Sequence, residues 1–407
     1  MKKLLILGNN SHVDELINNA KNRGVYTIVT DNLPTDKSPV KNIADEAWNI
    51  SVTDLDALES AAKECGINGV VCGASEICLE ATRELCKRLK LPFYASDLAW
   101  EISNDKIRFK TACKEAGISV AENYDLSIEL KTEDIEKIDF PVVVKPADGY
   151  SSIGLNVCDD KNELISAYKD AYEKSKIKKV VVEKYITGEQ MGLIYSIHQG
   201  EPVLIVSGDD VASFESRDRR VFGFSPTKHT RIYKDILENN IKKLFRNIGC
   251  MEGIACLQFI VNDKQAVALE MNYRLPGGKN NAEKIMCDNI LCNALSEDFE
   301  LDNLAFNEFC AYSIWLKPGR IKRIDGIEEI KKKVPNLTIT QMKHENDVVE
   351  ENTGMRQILG FIVIGGNAEI GIEAFKTING ILKVTSDQGE DMICRYEYDK
   401  KGYAKLL

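Results

Sequence analysis

The sequence predicts an α/β protein of two or three domains. Three observations carry this. Its 407 residues exceed what a single hydrophobic core usually organises. Short, nearly continuous apolar runs at 2–8, 25–29, 69–72, 141–146 and 179–186 are separated by amphipathic stretches, as expected of buried strands between helices. A pair of apolar runs, 255–261 and 265–271, flanks the polar turn residues Asn262, Asp263 and Lys264, which reads as a β-hairpin.

Composition narrows the function classes. Hydrophobic residues at 44% and charged residues at 29% are ordinary for a soluble enzyme. A net charge of −10 argues against a surface for nucleic-acid backbones, although local Lys and Arg still suffice for one nucleotide. The twelve cysteines contain no C-x-x-C pair and the four histidines are scattered, so no zinc or redox framework is visible. Free thiols and the lack of a signal peptide point to a reducing cytoplasm. The apolar run 4–7 is too short to span a membrane.

In chain order, run 2–8 ends in Gly8, a helix follows over 11–22, and a second strand ends at Thr30 and Asp31. This is a βαβ unit of the Rossmann type, and it predicts a Rossmann-like domain over 1–100. The turn reads G-N-N-S-H rather than G-x-G-x-x-G, so dinucleotide binding is disfavoured. Asn9, Asn10 and Ser11 are expected to cap the helix or to bond a small polar substrate. A helix over 55–65 and the strand 69–72 lead to Gly73, Ala74, Ser75 and Glu76 at a strand's carboxyl end, where ligands of open α/β sheets collect. Glu76 is a candidate partner for a substrate amine; the plainer reading is an acidic residue favoured at a helix start. The domain closes with 91–94.

Ser103 is the expected N-cap of a helix ending at Gly117, with Lys106 unfavourably placed in the first turn. Run 141–146 holds Lys145 among apolar neighbours, where a buried ammonium needs an anionic partner. The loop 147–154 is rich in small and hydroxyl residues, whose backbone N–H groups are suited to wrapping anionic oxygens. Residues 202–207 continue the sheet, and 232–248 is an amphipathic helix ended by Gly249. The basic cluster of residues 216–220, Lys228 and Arg231 reads chiefly as a solvated face, with a carboxylate clamp as the alternative. In the hairpin, a three-residue loop is taken to set Gln258 opposite Glu270, and Glu270, Asn272 and Arg274 share one face. Oxygen ligands beside an arginine suit a hard cation and a phosphate or carboxylate.

Q-F followed by E-x-N-x-R and G-G resembles the metal-binding end of the ATP-grasp superfamily, in the form of its carbamoyl-phosphate synthetase and amino-acid ligase branches. The resemblance implies an ATP-grasp module of two α+β lobes over 101–298. It implies a small α/β C-terminal domain over 299–407, similar to that of biotin carboxylase-like members. Gln258, Glu270 and Asn272 match the ligands of two Mg²⁺ ions, with Mn²⁺ an alternative metal. Arg274 matches the residue that touches the terminal phosphate or the reacting carboxylate. Lys106 and Lys145 match the phosphate lysines, and the loop bearing Gly149, Ser151, Ser152 and Gly154 matches the phosphate lid. Ile153 stands where many members carry a basic residue. Glu183, Lys184, Tyr185 and Ile186 match the hinge that reads adenine, and Glu189 or Gln190 takes the ribose position.

The activity implied is an ATP-dependent carboxylate–amine ligase working through an acyl phosphate, with small-molecule acid and amine substrates. A homodimer is common in the family. Two alternatives compete. Bicarbonate chemistry is opposed by the single grasp module and by the lack of a biotin-bearing A/V-M-K-M, and a non-catalytic nucleotide module by the full set of phosphate and metal groups.

Overall fold

The computed structural model describes the chain except residues 148–153, 215–218, 264, 302–307, 352, 400 and 401. The first apolar runs form a parallel four-stranded sheet in the order Glu46–Trp48, Tyr26–Thr30, Lys3–Leu7, Gly69–Cys72. Leu4 to Leu7 are all fully buried, because the helices Val13–Asn22, Leu55–Cys65 and Glu76–Leu89 accompany the sheet. Residues 91–94 add no strand. Asn9, Asn10 and Ser11 do not cap the first helix. The cap position falls to His12 at φ 74°, which makes no side-chain cap bond. Its buried ring instead reaches Glu283 Oε1 at 2.8 Å and Pro276 O at 2.7 Å.

The helix expected from Ser103 to Gly117 forms but begins at Lys106, and Ser103 lies in a separate helix before it. Asp97–Asn104 is capped by Ser96, and Lys106–Ala116 by Asp105. Asp105 is extended at φ −115°, ψ 108°, and its Oδ1 accepts from Ile107 N at 2.8 Å and Arg108 N at 3.0 Å. A carboxylate serving two orphan amides breaks the run more effectively than Ser103, which lies inside the first helix.

A small lobe follows, with a four-stranded sheet in the order Asn123–Tyr124, Val180–Lys184, Val142–Pro146, Asn156–Cys158. The helix Lys161–Lys174 packs on it, and the pair has a core of its own built on Val142, Val144, Leu164, Tyr168 and Val182. The second lobe belongs to a nine-stranded sheet in the order Leu337–Gln341, Ile358–Gly365, Phe309–Trp315, Arg220–Ser225, Glu201–Ala212, Glu189–His198, Gly253–Asn262, Gln265–Asn272, Ser119–Val120. Phe222 pairs with Tyr312, so the sheet crosses residue 299 without a break. The helix ending at Gly249 begins at Thr230 and contains a π-helical turn at Tyr233–Leu237.

The hairpin forms with a correction to its loop. Asn262 pairs with Gln265, which leaves two residues between the strands, not three. That register alone would set Gln258 opposite Leu269. A bulge between Gln258 and Phe259 makes Leu269 the extra residue and brings Gln258 opposite Glu270.

The large core joins the N-terminal sheet, the second lobe and the helix Glu283–Ala294 in one cluster. A separate core lies under the C-terminal residues, around Phe222, Tyr312, Trp315 and Phe375. The small lobe and the C-terminal part thus each have a core apart from the large cluster.

Candidate active site

A cleft of about 2950 Å³ runs between the small lobe, the hairpin sheet and the carboxyl ends of the N-terminal strands. Ligand pockets for one small molecule are usually about 300–1,000 Å³, so this one has room for several reactants. Its walls include Asn9, Glu76, Lys106, Lys145, Glu183, Gln190, Gln258, Glu270, Asn272 and Arg274.

On the hairpin wall, Asn272 Nδ2 donates to Glu270 Oε1 at 3.3 Å and Arg274 Nη2 to Asn272 Oδ1 at 3.4 Å. Arg274 Nε donates to Glu76 Oε1 at 2.6 Å and Nη1 to Leu275 O at 2.9 Å. Burial works against this guanidinium's charge, but the Glu76 carboxylate outweighs it and the pKa stays above its ordinary value. Glu76 is the first residue of its helix and also spans to the hairpin. Just before this helix, Gly73 lets the chain lie against the 10–11 turn: a Cβ there would meet Ser11 O at 1.9 Å and Asn10 Oδ1 at 2.4 Å. Cys256, opposite Asn272, is a neutral thiol, pushed up to about 12 by burial.

Gln190 is 5% exposed and donates from Nε2 to Gln258 Oε1 at 2.9 Å. Its own Oε1 is buried without a partner among the described residues, an acceptor waiting for a donor. Glu189 is engaged elsewhere, by Lys228 Nζ at 2.7 Å and His229 Nε2 at 2.8 Å. Of the two ribose candidates, Gln190 has the unfilled hydrogen-bonding capacity.

On the small-lobe wall, Lys106 Nζ reaches Ala147 O at 3.5 Å. Lys145 Nζ lies 3.3 Å from Glu183 Oε2, and Lys110 forms an ion pair with the other oxygen. Glu183 is 3% exposed; burial raises its pKa, and Lys145 and then Lys110 bring it below the ordinary carboxylate range. The sequence reading missed Lys110, although its place beside Phe109 and Cys113 on a buried helix face was a signal. Lys184 lines the cleft, but its ammonium is engaged by Asp139, as an ion pair and through Asp139 O at 2.9 Å. Tyr185 N is taken by Pro141 O at 3.0 Å, and the Ile186 amide has no backbone partner among the described residues.

Gly149, Ser151 and Ser152 lie outside the described residues; Gly154 is described, at φ 76°. Of the basic cluster, residues 216–218 also lie outside them. Arg219 stacks over Trp315 at 5.2 Å, Lys228 holds Glu189, and Arg231 is 93% exposed. These described members form no common clamp. Asp31 is held by Ser38 Oγ at 2.6 Å and Lys41 Nζ at 3.0 Å, so the acidic residue that a dinucleotide would need is occupied.

Residues 105–295 match the family described as carbamoyl-phosphate synthase L chain, ATP binding domain. That stretch is thus similar to an ATP-binding domain. The carbamoyl phosphate synthase large chain of Clostridium botulinum (strain Loch Maree / Type A3) is 25% identical over 271 residues, covering 62% of this chain and 24% of its own length. A D-alanine–D-alanine ligase of Bacillus anthracis is 29% identical over 197 residues, covering 46% of this chain and 62% of its own. This chain thus spans less than two thirds of the length of either relative. The L-amino acid ligase from Bacillus licheniformis shares the fold, with a TM-score of 0.76 at 18% identity over 95% of this chain and 99% of that one.

The matched stretch 105–295 contributes both the small-lobe wall and the hairpin wall of the cleft. Among the described residues no three His, Cys, Asp or Glu side chains converge. The hairpin set is one carboxylate and two amide side chains, which fits a hard cation that also takes phosphate oxygens. No helix among the described residues is long and apolar enough to cross a membrane.

Proposed function

We propose that the chain is an ATP-dependent carboxylate–amine ligase, forming an amide on an amino acid or a related small metabolite. The observation that carries this reading is the contact line Glu270–Asn272–Arg274–Glu76, which ties the metal strand to the N-terminal strand ends. Nucleotide, acid and amine then meet at one guanidinium.

In this reading Lys106 and Lys145 draw the phosphates, Gln190 accepts from a ribose hydroxyl, and Glu183 with the Ile186 amide reads the adenine. Gln258, Glu270 and Asn272 would hold Mg²⁺, as two ions by the family pattern; when bound it screens phosphate charge and polarises the transferred group. Arg274 grips the substrate carboxylate in a bidentate manner and holds it against the γ-phosphate. A carboxylate oxygen attacks phosphorus, ADP leaves, and an acyl phosphate remains. Glu76, at the far side of Arg274, receives the incoming ammonium, which gives up one proton to become the free amine. The amine nitrogen then attacks the acyl carbon, the C–O bond to phosphate breaks, and the second proton leaves with the phosphate.

A mass-spectrometric screen of amino acids with ATP tests this. Amide and ADP appearing only when both acid and amine are present supports it. Full turnover on bicarbonate alone contradicts it and favours the chemistry named in the carbamoyl phosphate synthase relative.

A further inference from the structure

We propose that Lys110 is a positioning residue for the nucleotide: it remains as the counter-ion of Glu183 when arriving phosphates draw Lys145 out of the shared ion pair. The inference rests on the nucleotide reading of this cleft.

The geometry is asymmetric. Glu183 receives Lys145 on Oε2 at 3.3 Å and Lys110 on Oε1. Lys145 and Glu183 line the cleft, whereas Lys110 stands behind them with its side chain 9% exposed. Lys110 lies one helical turn beyond Lys106 and among buried Phe109, Ala112 and Cys113. Two ammonium groups and one carboxylate leave one surplus positive charge at the site before a polyanion arrives. Once Lys145 turns to the phosphates, Lys110 and Glu183 remain as a neutral pair. Without Lys110 the same movement strands a carboxylate that is 3% exposed, a state that proteins avoid by protonation.

Among the described residues no other charge takes Lys110's place. Asn123, opposite Glu183 on the neighbouring strand, is uncharged. On the helix, Lys106 reaches Ala147 O, and Cys113 is neutral, pushed up to about 12 by burial. Lys184 pairs with Asp139. Burial pushes the Lys110 ammonium down, and Glu183 restores it only in part. A lysine this deep is therefore held in place by the carboxylate that it serves.

The test is calorimetry of ADP binding in buffers of different protonation enthalpy, from about pH 6 to pH 8. Lys110→Met should take up close to one proton more than the parent protein, and its affinity should weaken by up to about tenfold per pH unit. Lys110→Arg should restore the parent's behaviour. Lys110→Met combined with Glu183→Gln should also lose the extra proton, because no carboxylate is left to take it. Should Lys110→Met not fold, ¹³C-glutamate NMR of the parent protein decides: the Glu183 carboxylate stays ionised with ADP bound throughout this range. Equal proton uptake in parent and Lys110→Met, or titration of Glu183 in the ADP complex of the parent, overturns the proposal alone. A parent protein that binds no adenine nucleotide overturns the nucleotide reading and this proposal with it.

Discussion

Replacing Arg274 with Ala isolates the step at which acid meets nucleotide. Its guanidinium is spread over Glu76, Leu275 O and Asn272, with the side chain 18% exposed, so it is preorganised rather than mobile. A preorganised donor aimed at developing negative charge is worth about 10²–10³ in rate, or about 2.7–4 kcal/mol. The fold should tolerate the loss. The abandoned Glu76 side chain is 33% exposed and can be hydrated, so stability should fall by about the 1.5–3 kcal/mol of a charged hydrogen bond. The assay is steady-state ADP release with the acid and amine found by screening. We expect kcat to drop by about two to three orders of magnitude, while KM for ATP moves far less, because Lys106, Lys145 and the hinge are untouched. Arg274→Lys should recover little, since an ammonium cannot make the bidentate contact. A kcat within about tenfold of the parent, or an ATP affinity lost in step with kcat, would refute the assignment.

Glu270→Ala removes the one carboxylate of the hairpin set, so calorimetry should show Mg·ATP binding weakened while metal-free ADP binding is largely kept. Asp210 has its pKa raised by burial, opposed by Arg220 and reinforced by Asp209. A raised folded-state value favours the protonated form, so this residue's contribution is present at low pH and lost as pH rises through the folded value. Asp210→Asn should therefore melt higher than the parent at neutral pH, with the gap closing in acid. Gly73→Ala should cost about 1–3 kcal/mol in thermal denaturation, because its Cβ would meet Ser11 O and Asn10 Oδ1. An unchanged melting curve would mean that the two strand ends do not meet as described.

Much of the site was legible because its residues lie close together along the chain. Glu270, Asn272 and Arg274 alternate on one strand, and period-two geometry puts them together wherever that strand lies. A three-residue loop would in fact set Gln258 opposite Ala268, so loop length does not give its pairing with Glu270; the bulge at Leu269 does. A bulge of this kind leaves no mark in an apolar run. Lys110 was not legible because its partner, Glu183, is 73 residues away in sequence on another element. Ser103 misled because Asp105, two residues on, competes for the same role with two bonds rather than one. Glu189 and Gln190 looked interchangeable in sequence, and only strand direction separates an engaged carboxylate from a buried amide. The sheet's continuity past residue 299 depends on Arg220–Ser225 finding Phe309–Trp315, a long-range pairing that no local pattern encodes.

The most direct measurement follows oxygen. An amino-acid substrate labelled with ¹⁸O in its carboxylate is turned over with ATP and its amine partner, and the released phosphate is analysed by mass spectrometry. Attack by the carboxylate held at Arg274 leaves one labelled oxygen in each phosphate released. Unlabelled phosphate, with amide formed, would contradict the acyl-phosphate route on which this account depends.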